Sequence, residues 1–104
     1  MKLTVLKSIA RDLLGHIDSL VWFGDNQIFK NIPNKIDTNI LEQKDDFDKY
    51  CFEFFKKRIP KSFDIKRVDE IKLVGSRGID SFKMSINIKI EDKVFTENIM
   101  GFKS

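Results

Sequence analysis

The fold is decided by one stretch near the C-terminus, Phe82-Lys83-Met84-Ser85-Ile86-Asn87-Ile88-Lys89-Ile90. Apolar and polar side chains alternate along it, which is the period of a half-buried antiparallel strand with one wet face. Residues 68–74 precede this strand through the turn Gly75-Ser76-Arg77-Gly78, and residues 94–102 follow it through Glu91-Asp92-Lys93. We therefore predict a C-terminal three-stranded antiparallel meander.

The register of the last strand stays open at this point. A two-residue loop turns Phe95 and Ile99 towards the core, whereas a three-residue loop turns Val94, Met100 and Phe102 inward. The two registers differ because a shift of one residue moves every side chain to the opposite face of a strand.

The N-terminal residues follow a helical period. Apolar residues recur at intervals of three and four from Leu3 to Val21, which predicts an amphipathic helix. The Thr4 hydroxyl is placed to cap its first turn. Gly24 is a candidate C-cap, and the alternative is a short hairpin over residues 19–31 around Gly24-Asp25-Asn26. We favour the helix, followed by an irregular connection over residues 24–37.

A second amphipathic helix is predicted between residues 40 and 59. Its acidic start and basic end suit the helix dipole, and Pro60 stops it. Asp45 is the expected N-cap of its strong segment, with Thr38 capping a weaker first turn. The predicted fold class is α+β, with two N-terminal amphipathic helices packed on the meander in a single domain over residues 1–104.

Composition excludes several classes of protein. The chain has 104 residues, of which 41% are hydrophobic and one is a cysteine, so a globular core is expected and an intramolecular disulfide is impossible. With one Cys and one His, a structural zinc site is excluded, and we expect no metal and no cofactor. The sequence contains no signal-peptide pattern and no apolar run that could span a bilayer, so we expect a cytoplasmic protein without membrane contact.

His16 is the default candidate for acid–base catalysis, because histidine alone titrates near neutral pH without help. Asp12 lies one helical turn earlier and is placed to orient or pair with the imidazole. No nucleophile or charge-stabilising group is identified beside them, so a helical histidine beside the apolar stripe, paired with Asp12, is the favoured interpretation. Cys51 falls within the apolar stripe and is expected to be a buried core residue.

A basic set is the second candidate site. The net charge is +3, and the densest positive run closes the second helix. Surfaces that bind the phosphate backbone of nucleic acids require such clusters of positive charge. A solvent-exposed helix end explains the run as well. The candidate anion-contact residues are Lys56, Lys57, Arg58, Lys61, Arg77 and Lys89. Arg77 is expected at the exposed tip of a hairpin turn, in a loop that lacks the features of a phosphate-binding loop.

Trp22 is the single tryptophan and ends the first helix near a turn. Tryptophan is enriched in interface hot spots, which makes Trp22 a candidate partner contact, although a partly buried cap on a small core is the favoured interpretation.

Two functional hypotheses follow. The first is a small non-enzymatic protein-interaction module, such as an inhibitor, immunity or accessory protein of a mobile element, whose partner is another protein. The alternative is a nucleic-acid-binding or RNA-cleaving basic protein that uses the basic set with His16. No motif identifies a family. The open edges of a three-stranded sheet also make dimerisation by edge pairing available.

Overall fold

A computed structural model describes residues 3–23, 35–79 and 81–102. Within them the elements are helix α1 (Leu3–Phe23), strand β1 (Lys35–Asn39), helix α2 (Asp46–Arg58) and strands β2 (Val68–Arg77), β3 (Ser81–Ile90) and β4 (Lys93–Phe102). Single 3₁₀ turns at Ile40–Glu42 and Ile65–Arg67 precede α2 and β2. The strands form one antiparallel sheet in the order β1-β2-β3-β4. The α+β class, with two helices and an antiparallel sheet among these residues, is confirmed.

The fourth strand is the main departure from the predicted fold, which had three. β1 pairs with β2, and Ile36 is its only buried residue, opposite Gly75. With one buried apolar residue in five, β1 has no alternation of apolar and polar side chains. The sequence therefore predicts an irregular connection over residues 35–37. The rest of that connection, residues 24–34, lies outside the described residues.

Helix α1 extends through residues 19–23, which rules out a strand there and confirms the helix over the hairpin. It begins at Leu3, so Thr4 lies inside the first turn and is not the N-cap. The proposed capping role of Gly24 lies outside the described residues. Neither helix of the described part carries an apolar stretch of the length needed for a bilayer crossing.

Helix α2 begins where Asp45 caps it. The Asp45 carboxylate accepts a hydrogen bond from the Asp48 backbone N–H at 2.8 Å, as predicted. The prediction that Thr38 caps a weaker first turn of this helix is wrong. Thr38 lies in β1, and Ile40–Glu42 forms a separate 3₁₀ turn capped by Asn39.

Asp48 is fully buried and ties β1 to the start of α2. Its carboxylate accepts hydrogen bonds from the Thr38 hydroxyl at 2.8 and 2.9 Å and from the Lys44 backbone N–H at 3.2 Å. A buried carboxylate needs such partners, and these explain why it is tolerated in the core. Thr38 is thus a partner of the helix rather than its cap.

The hairpin turns settle the register of the sheet. β2 continues to Arg77, so the predicted turn at 75–78 starts instead at Gly78, and Arg77 is not at its tip. The last hairpin has a two-residue loop, with Glu91 at φ 47° and Asp92 at φ 67°, both left-handed. This loop turns Phe95 and Ile99 towards the core.

Candidate functional site

An aromatic seam joins α1 to α2 around His16. The imidazole Nε2 lies 2.7 Å from the Tyr50 hydroxyl oxygen, and the two rings are parallel to within 6°. On α2 the Phe54 ring stacks on His16, with 4.7 Å between ring centroids. His16 is therefore held by one hydrogen bond and two ring contacts, all from α2.

Arg58 completes this seam from the end of α2. Its guanidinium carbon lies 3.4 Å from the Phe54 ring centroid, and its Nη1 donates to the Phe54 carbonyl oxygen at 3.1 Å. Burial and, secondarily, the positive charge of Arg58 lower the pKa of His16 from its ordinary value of 6.5. Both effects favour the neutral imidazole of His16 beside the Arg58 guanidinium.

The expected pairing of His16 with Asp12 is not formed. Asp12 is exposed, and no hydrogen bond joins it to His16 among the residues that the structure describes. The partner is Tyr50, which lies 34 residues away in the sequence. A catalytic role for His16 or Asp12 stays a prediction.

The six residues of the basic set do not form one surface. Lys56, Lys57 and Arg58 occupy the exposed last turn of α2, and Lys61 follows it, also exposed. Lys89 lies on the far side of the sheet, because it alternates with the buried residues of β3. Arg77 is opposite the buried Phe82 and therefore projects to the helix-covered side.

Trp22 lies in the last turn of α1, and its side chain is outside the described part of the structure. Its role as a partner contact stays a prediction. Cys51 is fully buried, and burial raises the pKa of its thiol, as a core position requires. Among the described residues no group of Asp, Glu, His and Cys is placed to hold a metal ion.

The second candidate surface is the sheet face that points away from the helices, which we call the outer face. No helix or strand of the described residues lies on it. By the pairing register, it carries the side chains that alternate with the core residues of each strand. Its charged members are Lys35, Asp37, Glu70, Lys72, Lys83 and Lys89.

A groove of about 650 Å³ crosses this outer face over all four strands. One row of side chains across it contains Lys35, Ser76, Lys83 and Met100 in neighbouring strands. The groove lies at the level of Gly75, where a Cβ would come within 2.7 Å of the Lys83 carbonyl oxygen. Glycine therefore permits the close backbone approach at the base of this groove.

In this row the Ser76 hydroxyl has one lysine on each side, Lys35 and Lys83. Lys72 is neutralised by Asp37 at 3.2 Å, and Lys89 lies opposite Glu70. Among the described residues neither Lys35 nor Lys83 forms an ion pair. Within the described part of the chain, the groove therefore has an unneutralised positive charge on both sides of Ser76.

Apolar side chains border the same charges. Val74 is 39% exposed and Met100 is 54% exposed, and both line the groove. The other outer-face side chains of the groove are the Asp37 carboxylate, which is paired with Lys72, and the hydroxyl and amide groups of Ser76, Ser85 and Asn98. Ser85 donates a hydrogen bond to Asn98 across β3 and β4. Such a mixture offers hydrogen bonds, charge and apolar contact within one hollow.

Sequence reasoning identified the wet face of β3 but missed the groove. One wall of the groove is β1, which carries no sequence signal, so the hollow exists only once β1 has joined the sheet.

No family model matches the chain, and neither a curated protein nor a solved structure shows significant similarity to it.

Proposed function

We propose that the chain is a non-enzymatic protein-interaction module that binds an acidic partner protein in the groove of its outer face. The observation that supports this most directly is the pair of unneutralised lysines, Lys35 and Lys83, on either side of Ser76. A carboxylate of the partner gains a charge-assisted hydrogen bond there. This proposal favours the class of small inhibitor, immunity and accessory proteins, including those of mobile elements.

The apolar border of the groove favours a protein over a polyanion. Val74 and Met100 offer contact area to apolar side chains, and protein interfaces combine such a centre with polar surroundings. Single-strand binders instead need exposed aromatic rings for stacking, and no described side chain of the outer face is aromatic.

The test uses two double variants with the same change of charge. Lys35→Glu with Lys83→Glu reverses the groove, while Lys57→Glu with Lys61→Glu reverses two exposed lysines of the helix layer. Each tagged protein is incubated with nuclease-treated host lysate, and captured proteins are identified by mass spectrometry. We expect an acidic protein to be captured by wild type and by the helix-layer variant and lost with the groove variant. Equal capture by both variants contradicts the proposal.

A nucleic-acid-binding or RNA-cleaving function is the second candidate. It is favoured by the juxtaposition of neutral His16 with Arg58, next to the exposed Lys57. A neutral imidazole accepts a proton, and a guanidinium binds a phosphate oxygen.

This second function predicts a steep loss of affinity for single-stranded RNA with added salt, because bound phosphates release counterions. Lys57→Glu with Arg58→Glu should weaken binding to all sequences, and His16→Ala should abolish cleavage. RNA binding that is unchanged in the double variant removes this candidate.

A further inference from the structure

The two edges of the sheet differ in length and in charge. β1 has five residues and carries Lys35 and Asp37 on its outer face, whereas β4 has ten. The outer-face side chains of β4 are uncharged over residues 94–100, and the exposed ones include Val94 at 61% and Met100 at 54%. Charges, prolines and bulges normally protect long edges, and β4 has no such protection on that face.

The last hairpin determines which backbone groups of β4 are free to pair. Ile90 and Lys93 close a two-residue loop, so they form a hydrogen-bonded pair, and such pairs recur at every second residue. The odd-numbered residues of β4 therefore direct their N–H and C=O groups to β3. The even-numbered residues from Val94 to Phe102 direct theirs to the open edge.

Helix α1 runs alongside β4 on the core side. Lys7 Nζ lies 5.8 Å from the Phe95 ring centroid, and Arg11 Nη2 lies 3.2 Å from Glu97 Oε2. Four residues of a helix advance about 6 Å along its axis, and two residues of a strand advance about 7 Å. Every fourth residue of α1 therefore lies beside every second residue of β4. At the same advance Gly15 comes level with Ile99.

Gly15 has no evident role in the single chain. It is exposed in the middle of α1. Apart from its chain neighbours and the backbone of its own helix, no atom of the described residues lies within 4 Å of a Cβ built on it. Glycine at such a position costs roughly 1 kcal/mol relative to alanine. It does permit a second helix to approach closely on that flank.

From these relationships we propose that two copies of the chain pair through β4 about a two-fold axis at Asn98, forming one continuous eight-stranded sheet. Paired residues must share a face, so the axis falls on a residue rather than between two. An axis at Glu97 places that carboxylate opposite itself, which is repulsive. The axis at Asn98 avoids this contact and uses every outward N–H and C=O from 94 to 102.

The helices fit the same arrangement. α1 packs over β3 and β4, and strands lie about 4.8 Å apart, so two such helices on adjoining β4 strands lie about 10 Å apart. Packed helices have interaxial distances of about 8–10 Å. The two-fold axis places Arg11 level with Gly15 of the second copy, where the missing side chain leaves room for it.

Sedimentation velocity on the full chain, from micromolar to submillimolar concentration, tests the proposal. Wild type should show a concentration-dependent dimer. Gly15→Gln should raise the thermal midpoint of the dilute monomer, because it removes a helical glycine, while weakening the dimer about tenfold or more through a blocked helix contact. These opposite effects separate a contact role from a loss of fold.

A matched pair at Met100 tests the strand contact. Met100→Pro removes an outward N–H and should weaken the dimer at least about tenfold, whereas Met100→Thr keeps the N–H and should leave the dimer in place. A wild-type monomer at every concentration overturns the proposal. A dimer that Gly15→Gln leaves unchanged overturns it as well, even if Met100→Pro does not fold.

Discussion

Nε2 of His16 on α1 and the hydroxyl oxygen of Tyr50 on α2 lie 2.7 Å apart, and this hydrogen bond joins helix α1 to helix α2. It is formed by a histidine whose pKa is lowered by burial and by Arg58. Burial and the charge of Arg58 disfavour the imidazolium, so the stability of the seam should depend on pH.

His16 should make stability decrease as the pH falls below about 6.5. Well above that pH the imidazole is neutral in both states and contributes no pH dependence. Below it the unfolded chain takes up the proton first, because the pKa of His16 is lower in the folded chain, so the folded state loses stability until the pH passes that lower pKa. Urea denaturation at pH values from 7.5 downwards measures this loss, and His16→Gln should remove its histidine component. An identical pH slope in the variant contradicts the assignment.

Arg58→Gln should raise the pKa of His16 towards its ordinary value, because it removes one of the two causes of the shift. The chain has one histidine, so its ring resonances can be followed by NMR without ambiguity. Lys57→Gln makes the same change of charge one residue earlier and should leave the pKa of His16 nearly unchanged. Equal effects of the two variants would mean that general charge, rather than the contact with Arg58, lowers the pKa.

Asp48→Ala should destabilise the fold by about 2–3 kcal/mol, because the Thr38 hydroxyl and the Lys44 N–H lose their buried acceptor. Asp46→Ala is the control, since Asp46 is an exposed acidic residue of the same helical turn and should change stability by about 0.5 kcal/mol. Chemical denaturation of both variants gives the comparison. Similar losses would show that the helix dipole, rather than the buried contact, is the main role of Asp48.

Gly75→Ala should destabilise the fold by about 1–3 kcal/mol, because the added Cβ meets a backbone carbonyl that cannot move without disturbing the pairing of β2 and β3. At Gly78 the nearest atom to a built Cβ is the Ser81 side-chain oxygen, at 3.3 Å, which can rotate away. Gly78→Ala should therefore have a smaller effect. Thermal denaturation of the two variants checks this order, and a reversed order would contradict it.

Cys51 should be protected from thiol reagents in the folded protein. Its side chain is fully buried, and burial, with the charges of Asp48 and Asp45, raises the pKa of the thiol. Only the thiolate reacts at a useful rate. Reaction with an aromatic disulfide reagent should be slow in buffer and fast in denaturant, and fast modification of the native chain would show that the α2 packing opens readily.

The sequence alone determined the elements whose signals are local. The alternation along β3, the helical period of α1 and the capping of α2 by Asp45 each depend on residues within a few positions of one another, and all are confirmed. The length of the last hairpin loop, two or three residues, stayed open from the sequence. Both resulting registers of β4 bury an acceptable set of apolar side chains.

Only the tertiary structure decided the features that join distant residues. β1 has one buried apolar side chain and becomes a strand because β2 offers it unpaired backbone groups. His16 finds Tyr50 rather than Asp12 because the packing of α1 on α2 brings an aromatic hydroxyl to the imidazole. The groove arises in the same way, from side chains of four strands. Local periodicity shows which face of a helix or strand is apolar. The contacts between distant residues depend on how those faces pack against one another. These contacts form only when the whole core has assembled.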